Sequence, residues 1–318
     1  MNVAALSPIT TLDAIRRATE YLRKAGIEQD RLNAELLAGK VLNLSRINLY
    51  LDFDRPFDPK EKETLAGYLK RRVSGEPLQY ILGRTEFYGL TFSVDSSVLI
   101  PRPETEILVE HVLGFLKERR SVSKALPSGL QLDLFASFSE TAGPPVIVDI
   151  GVGCGTIALT LAHEVPDACV YAIDLSPEAL GSAQHNASAL RLEDRVRFFQ
   201  GGSCGPLATA SLHGGCDVIV SNPPYIRTAD IETLPVEIRA HEPRLALDGG
   251  EDGLDVLREI VAGAPTFLKP GGMLALEIGY DQAESVKKIL EDAAVYQNIT
   301  IVRDYSRRDR VVAAVIAG

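Results

Sequence analysis

Asp149-Ile150-Gly151-Val152-Gly153-Cys154-Gly155-Thr156 follows directly on the apolar run Val146-Ile147-Val148. A β-type run, three glycines at alternate positions, and then helix-compatible Thr156–Glu164 read as strand, tight loop and helix. Glycine permits the turn and lets backbone N–H groups approach a ligand. The same alternation spreads outward through the chain. Val170–Ile173, Val196–Phe199, Val218–Val220 and Met273–Ile278 are short runs rich in Val and Ile, the kind buried on both faces of a parallel sheet. Helical segments at Pro177–Ala189 and Leu254–Phe267 separate them. A helix near Gln282–Ala293 precedes Ile299–Val302 and Val311–Ile316, which are close enough in sequence to pair. The pattern predicts an α/β fold: a doubly wound sheet of seven strands with its last pair antiparallel.

Residues 1–75 read differently. Thr11 is placed to cap a helix with Leu12, Ile15, Ala18 and Leu22 at helical spacing, ended by Gly26. Asp30 opens a second helix, with Leu32, Leu36, Leu37 and Val41. Asp58 opens a third, with Glu61 in capping-box position. Three or four such helices make a small bundle with inward apolar faces. Residues 76–100 follow as a β-hairpin linker, with Phe87-Tyr88-Gly89-Leu90-Thr91-Phe92 as two extended runs about Gly89. Pro101-Arg102-Pro103-Glu104-Thr105-Glu106 then leads into a helix reaching about Glu118. Residues 119–145, rich in Ser, Gly and Pro, are expected to form a mobile surface loop. The domain plan is therefore 1–75, a linker at 76–100, and 101–318.

Charge separates the two parts. The chain has 33 basic and 43 acidic side chains, yet residues 1–75 carry 13 basic and 10 acidic. The remainder is strongly acidic and a poor match for a phosphate backbone, so direct nucleic-acid binding is not expected. The four cysteines, Cys154, Cys169, Cys204 and Cys216, show neither zinc-type nor redox spacing. None of the five histidines has metal-ligand spacing, and no metal is expected. Met1–Glu20 lacks a basic-then-apolar signal, and no run of about 18 apolar residues occurs, so a cytoplasmic protein without a membrane span is expected.

The glycine loop departs from the dinucleotide fingerprint, because Thr156 stands where a third spaced glycine would be. Its Gly-x-Gly-x-Gly form, with an acid two residues before, resembles the first motif of AdoMet-dependent methyltransferases. Asp174 ends the next strand, where a carboxylate can accept both ribose hydroxyls. Ser221-Asn222-Pro223-Pro224-Tyr225 follows Asp217-Val218-Ile219-Val220. Two prolines fix φ and remove donors, which leaves the Pro223 carbonyl rigid and available. Asn222 adds an amide oxygen, and Tyr225 a flat apolar face. The set suits a planar group bearing NH₂, an amide or an exocyclic amine, with Asn222 and Pro223 each accepting one N–H. Orientation in line with a methyl-sulfonium is then the main contribution.

Across nearly its whole length the chain resembles the release factor glutamine methyltransferases, which methylate the Gln of the Gly-Gly-Gln motif in peptide-chain release factors. The likeness rests on Gly75-Glu76-Pro77-Leu78-Gln79-Tyr80-Ile81-Leu82-Gly83, Glu86-Phe87-Tyr88 and Leu99-Ile100-Pro101-Arg102-Pro103-Glu104-Thr105-Glu106. It continues through Asp149–Gly155, Asp174, Asn222–Tyr225, His241-Glu242-Pro243, Leu247, Gly249-Gly250, Asp252-Gly253-Leu254, Glu277-Ile278-Gly279 and Arg303-Asp304-Tyr305. It implies a Rossmann-like class I AdoMet methyltransferase sheet behind a helical substrate-recognition domain. It also implies S-adenosyl-L-methionine as cofactor, S-adenosyl-L-homocysteine as product, and class I release factors as substrate, with the enzyme a monomer. Catalysis is assigned to Asn222 and Pro223, and substrate binding to these with Pro224 and Tyr225. Cofactor binding falls to Gly151, Val152, Gly153, Cys154, Gly155, Asp174, Ser203 and Asn222.

One position departs from the family. Gly202, followed by Ser203, stands where relatives usually carry an acid near the adenine, so recognition there is expected to rest on backbone groups or Ser203. Asn-Pro-Pro-Tyr is shared with amine-methylating nucleic-acid enzymes, which makes an exocyclic adenine amine the alternative acceptor. The acidic catalytic half and the lack of a target-recognition domain weigh against it. A non-catalytic module that binds AdoMet or a release factor is the third reading. Glu104, Glu106 and Glu277 are read as helix-start or supporting groups.

Overall fold

The first helix, α1 (Thr11–Lys24), is capped by Thr10 and not by Thr11. Thr10 accepts from the Asp13 N–H at 3.2 Å, and the Asp13 carboxylate accepts the Thr10 N–H in return. Of two adjacent threonines, the cap is the one three residues before the acid. Thr11 is instead buried and donates its hydroxyl to the Arg55 carbonyl. The computed structural model describes residues 9–125 and 143–317, and of residues 121–125 only the backbone.

The N-terminal unit extends to Arg84 and also takes in Pro235–His241. After α1 come α2 (Asp30–Leu42), α3 (Arg46–Leu51), α4 (Pro59–Val73) and α5 (Leu78–Leu82). Asp58 and Glu61 form the expected capping box on α4, with Pro59 in its first turn. Ile15, Leu22, Leu37, Leu49, Phe57, Leu65 and Ile81 form one buried cluster between the helices. Arg72 is also buried: it donates to Asn33 at 2.9 Å, the Glu76 carbonyl at 3.1 Å and Glu237 at 2.7 Å. α5 lies within 76–100, the stretch expected to be a hairpin linker. Only β1 (Arg84–Phe87) and β2 (Leu90–Ser93) form the hairpin.

The second unit carries that hairpin and α6 (Thr105–Ala125), which runs past the expected end at Glu118. The rest of the 119–145 loop expectation falls mainly on residues outside those described. Then follow β3 (Val146–Ile150), α7 (Thr156–Glu164), β4 (Cys169–Asp174), α8 (Pro177–Ala189), β5 (Val196–Gln200), α9 (Gly205–Thr209) and β6 (Cys216–Ser221). After α10 (Val236–Arg239), which belongs to the first unit, come α11 (Asp255–Gly263), β7 (Leu268–Glu277), α12 (Ala283–Asp292), β8 (Tyr296–Arg303) and β9 (Asp309–Ile316).

The seven-stranded sheet has the order β5-β4-β3-β6-β7-β9-β8. Strands β3 to β7 are parallel, and β9 runs antiparallel to both its neighbours, so the expected class is observed. Alternate residues fill opposite cores. Ile147, Val218 and Val220 face one side, and Val148, Ile150 and Ile219 the other. In register, Ile150 pairs with Ile173 and Ser221, and Ser221 with Leu276. The loops after β3, β4, β6 and β7 are thereby gathered at one edge.

Asn186 in α8 fastens the hairpin to this edge. It is 1% exposed, accepts the Ser93 N–H at 2.8 Å, and donates to the Ser93 and Cys154 carbonyls at 3.0 and 2.8 Å. Asn186→Ala leaves three backbone groups short of a partner. We expect a loss of roughly 2–4 kcal/mol, read by urea denaturation; a loss below about 0.5 kcal/mol would refute this role.

Candidate active site

The carbonyl of Ile173, at the end of β4, accepts two N–H groups, from Gly151 at 2.8 Å and Val152 at 2.9 Å. Those bonds bend the glycine loop back over the sheet edge. Gly153 N–H donates to Asp174 Oδ2 and Ser176 N–H to Oδ1, both at 2.9 Å. The Asp174 carboxylate is thus pinned at the rim, half-buried, with further lone pairs available. Gly155 has φ +93°, and a Cβ there would stand 2.7 Å from Leu159. It packs the loop onto α7. Gly153, at φ +55°, differs: a Cβ there would meet nothing within 4 Å and would project into open space.

That space is a cavity of about 550 Å³, within the range of small-molecule sites. Gly151, Val152, Gly153, Cys154, Asp174, Ser203, Asn222, Pro223 and Pro224 line it. Gly155 and Tyr225, also expected at the site, are not part of its lining. The loop and the Asn-Pro-Pro segment face each other, because a Cβ on Gly151 would lie 3.9 Å from the Asn222 carbonyl oxygen. Leu175 and Leu245, both more than half exposed, add apolar surface that the sequence reading missed. The position of Leu175, directly after the strand-end acid, was the available signal. Gly202 lines the cavity with nothing within 4 Å of its missing Cβ, while Ser203 takes the left-handed conformation at φ +49°.

Local bonds fix the Asn-Pro-Pro-Tyr segment. Ser221, fully buried, donates its hydroxyl to the Ile150 carbonyl at 2.6 Å. The Tyr225 carbonyl accepts Gln282 Nε2 at 3.0 Å, and the same amide reaches the Gly253 carbonyl at 3.2 Å. Ile226 N–H bonds the Leu247 carbonyl, and Gly249 N–H bonds the Ile226 carbonyl. A Cβ on Gly249 would stand 2.7 Å from the Pro224 oxygen, and one on Gly253 2.4 Å from the Tyr225 oxygen. These glycines let the 247–253 segment run against the Tyr225 backbone. Glu242, buried, takes Arg102 at 2.6 Å and the Ile100 N–H at 3.4 Å, joining two segments far apart in sequence.

Burial perturbs the acidic groups at this edge. It pushes the Cys154 thiol up to about 12, consistent with no nucleophilic role. Burial likewise raises Asp149 to about 7; its Oδ2 accepts one N–H, from Ala158 at 3.0 Å, while Oδ1 has no partner. Burial also raises Glu277 to about 7. The Thr105 hydroxyl, Arg310 and Tyr225 oppose that rise, and Glu104 adds to it.

A bare-glycine cradle, a rim carboxylate and an apolar-walled cavity fit a nucleoside carrying a short charged tail, which is the chemistry of S-adenosyl-L-methionine. Among the described residues no group of His, Cys, Asp and Glu could hold a metal ion, and no helix is long and apolar enough to cross a membrane.

Residues 13–83 match the family model of the PrmC N-terminal domain, and residues 132–239 that of the methyltransferase small domain. The release factor glutamine methyltransferase of Moorella thermoacetica is 42% identical over 306 residues, covering 96% of this chain and 98% of its own. That of Geobacter sulfurreducens is 43% identical, covering 92% of each chain. Among solved structures, the catalytic domain of hMettl16 in complex with the MAT2A 3′UTR hairpin 6 superposes with a TM-score of 0.53 at 13% identity. It covers 82% of this chain and 85% of that one, a likeness of fold alone.

Asp149 binds its proton more tightly folded than unfolded, so its ionisation costs stability as pH rises from about 4 to about 7. Asp149→Asn keeps an acceptor for Ala158 and does not titrate. Its stability relative to wild type should therefore improve by roughly 1–3 kcal/mol between pH 4 and pH 8 in urea titrations. A difference independent of pH would contradict the shift.

Proposed function

The chain belongs to the release factor glutamine methyltransferase family, and we propose that it methylates the side-chain amide nitrogen of the Gln in the Gly-Gly-Gln motif of class I peptide-chain release factors. The observation that carries this reading is the meeting, in one cavity, of the glycine loop with Asn222 and Pro223. We assign the reaction to the cytoplasm, where release factors act, and to a monomer working without metal.

S-adenosyl-L-methionine, when bound, supplies an electrophilic methyl on sulfonium and leaves as S-adenosyl-L-homocysteine. The chain binds and orients. Asp174 would accept the ribose hydroxyls with the lone pairs that Gly153 and Ser176 leave available. Backbone at Gly202 and the Ser203 hydroxyl, both on the cavity wall, would hold the adenine end. Asn222 Oδ1 and the Pro223 carbonyl each accept one N–H of the substrate amide, which points the nitrogen lone pair at the methyl carbon. An N–C bond forms as the C–S bond breaks, and the nitrogen gives up one proton to water. Polarising both N–H bonds offsets the poor nucleophilicity of an amide. Tyr225 acts from behind through its carbonyl bond to Gln282.

The N-terminal unit docks the release factor in this reading. Arg71 and Arg72, conspicuous in sequence, are unsuited to docking, since Arg71 is engaged by Glu76 and Arg72 is buried. Arg16 and Arg17 on α1 are better placed, both being exposed.

Labelled S-adenosyl-L-methionine incubated with a Gly-Gly-Gln release factor should label that Gln, located by mass spectrometry, and leave a Gly-Gly-Ala factor unlabelled. Label on the Gly-Gly-Ala factor, or transfer to an adenine-containing oligonucleotide in its place, overturns the assignment. Asn222→Ala should lower kcat at least about 100-fold, with a much smaller loss of cofactor affinity. Asp174→Ala should weaken calorimetric cofactor binding roughly 10–100-fold. Reversing Arg16 and Arg17 to Glu should raise KM for the release factor, less so at high salt, with kcat kept. An unchanged KM would remove α1 from the docking surface.

A further inference from the structure

An asparagine amide offers a donor at one end and an acceptor at the other, with nearly identical shape. Catalysis as proposed above needs the Asn222 oxygen toward the substrate amide. The opposite flip would set NH₂ against NH₂ and lose the acceptor. Something in the protein must choose.

Asn222 Nδ2 lies 3.2 Å from Thr105 Oγ1, and Thr105 is buried at the start of α6. A threonine hydroxyl can donate or accept, so it orients the amide only if its single hydrogen is committed elsewhere. Glu277, a buried carboxyl that feels the Thr105 hydroxyl, offers an acceptor for that hydrogen. It ends β7 one residue past Leu276, the register partner of Ser221, so Asn222 and Glu277 are neighbours at the sheet edge. Its side chain is buried, with Tyr225 Oη 3.5 Å from Oε1 and no partner on Oε2.

We propose, resting on the reading above, that Thr105 and Glu277 are positioning residues that set the direction of the Asn222 amide. Ionised Glu277 can only accept, so Thr105 turns its hydroxyl hydrogen toward the carboxylate. Its lone pairs then face Asn222 Nδ2, and the Asn222 oxygen is directed at the substrate. Protonated Glu277 can donate to Thr105 instead. The Thr105 hydrogen then turns toward Asn222 and favours the wrong flip.

The charged and titratable groups around the carboxyl are Glu104 before α6, Arg310 on β9 and Tyr225 after β6, with Asp304 bonded to Arg310. Glu104 favours the protonated form, whereas Arg310 favours the charged one. Together with burial they place the carboxyl at about 7, so kcat should fall as pH drops below about 7.

The test measures kcat, KM and calorimetric S-adenosyl-L-methionine affinity for Thr105→Val, Thr105→Ser and Glu277→Gln, with a Gly-Gly-Gln release factor from pH 6 to 9. Thr105→Val should lower kcat about 10–100-fold with cofactor affinity within about threefold. Thr105→Ser should recover to within about threefold of wild type. In Glu277→Gln, whose amide oxygen still accepts from Thr105 and does not titrate, the acidic fall of kcat should vanish. Wild-type kcat in Thr105→Val, or an unaltered acidic limb in Glu277→Gln, overturns the proposal. Should Thr105→Val fail to fold, shown by loss of its cooperative urea unfolding transition, the Glu277→Gln profile decides alone. No transfer by the wild-type enzyme overturns the functional reading itself, and this inference with it.

Discussion

A single acceptor, the carbonyl of Ile173, anchors the glycine loop by taking the N–H groups of Gly151 and Val152. A parallel strand that ends at a sheet edge leaves its last carbonyls unpaired unless a loop turns back to meet them. Here the meeting turns the loop back over the sheet edge and leaves Gly153 facing open space. It also brings Asp174, the next residue along β4, to the rim. The Ser221 hydroxyl on the Ile150 carbonyl then holds the end of β6 to the end of β3. Asn222 and Pro223 follow from that placement, because the strand leaves them nowhere else to go.

Much of this was legible in the sequence for one reason: buried parallel strands write themselves as short Val- and Ile-rich runs, and the loops that leave them need glycine or proline. Thr156–Glu164 and Pro177–Ala189 were read at their observed bounds, the second because Ser176 and Pro177 mark a helix start. Long-range polar partnerships were not legible. Asn186 reads as an ordinary helix residue, yet its amide fastens β2 to the glycine loop, 93 and 32 residues away. Arg72 stands in the basic run Lys70-Arg71-Arg72, but its side chain serves Asn33 and Glu237. Sequence records residue type; which carbonyl lies opposite a side chain is a matter of three-dimensional register.

The buried carboxyls make the same point from the side of energetics. Glu35, Glu242 and Asp304 are buried with cationic or backbone donors, the usual condition for burying a charge. Asp149 and Glu277 each keep one oxygen without a partner, and both lie at the sheet edge that forms the site. Among the buried carboxyls described, incomplete satisfaction is thus confined to the strand ends nearest the cavity, where a fold optimised only for stability would have placed apolar residues.

The excursion at Pro235–His241 has a consequence for modularity. The chain passes between its two units three times: after Arg84, after Leu234 and after His241. The small unit is therefore not a bead that can be clipped off one end. A chain cut after Arg84 keeps α10 but loses Arg72, the partner of Glu237, and Gly75, whose missing Cβ leaves room for Val236. The segment stranded in this way lies between Tyr225 and Leu247, the residues that lock the Asn-Pro-Pro-Tyr turn. The two units are thus interleaved in the chain, and neither can be exchanged by a single cut.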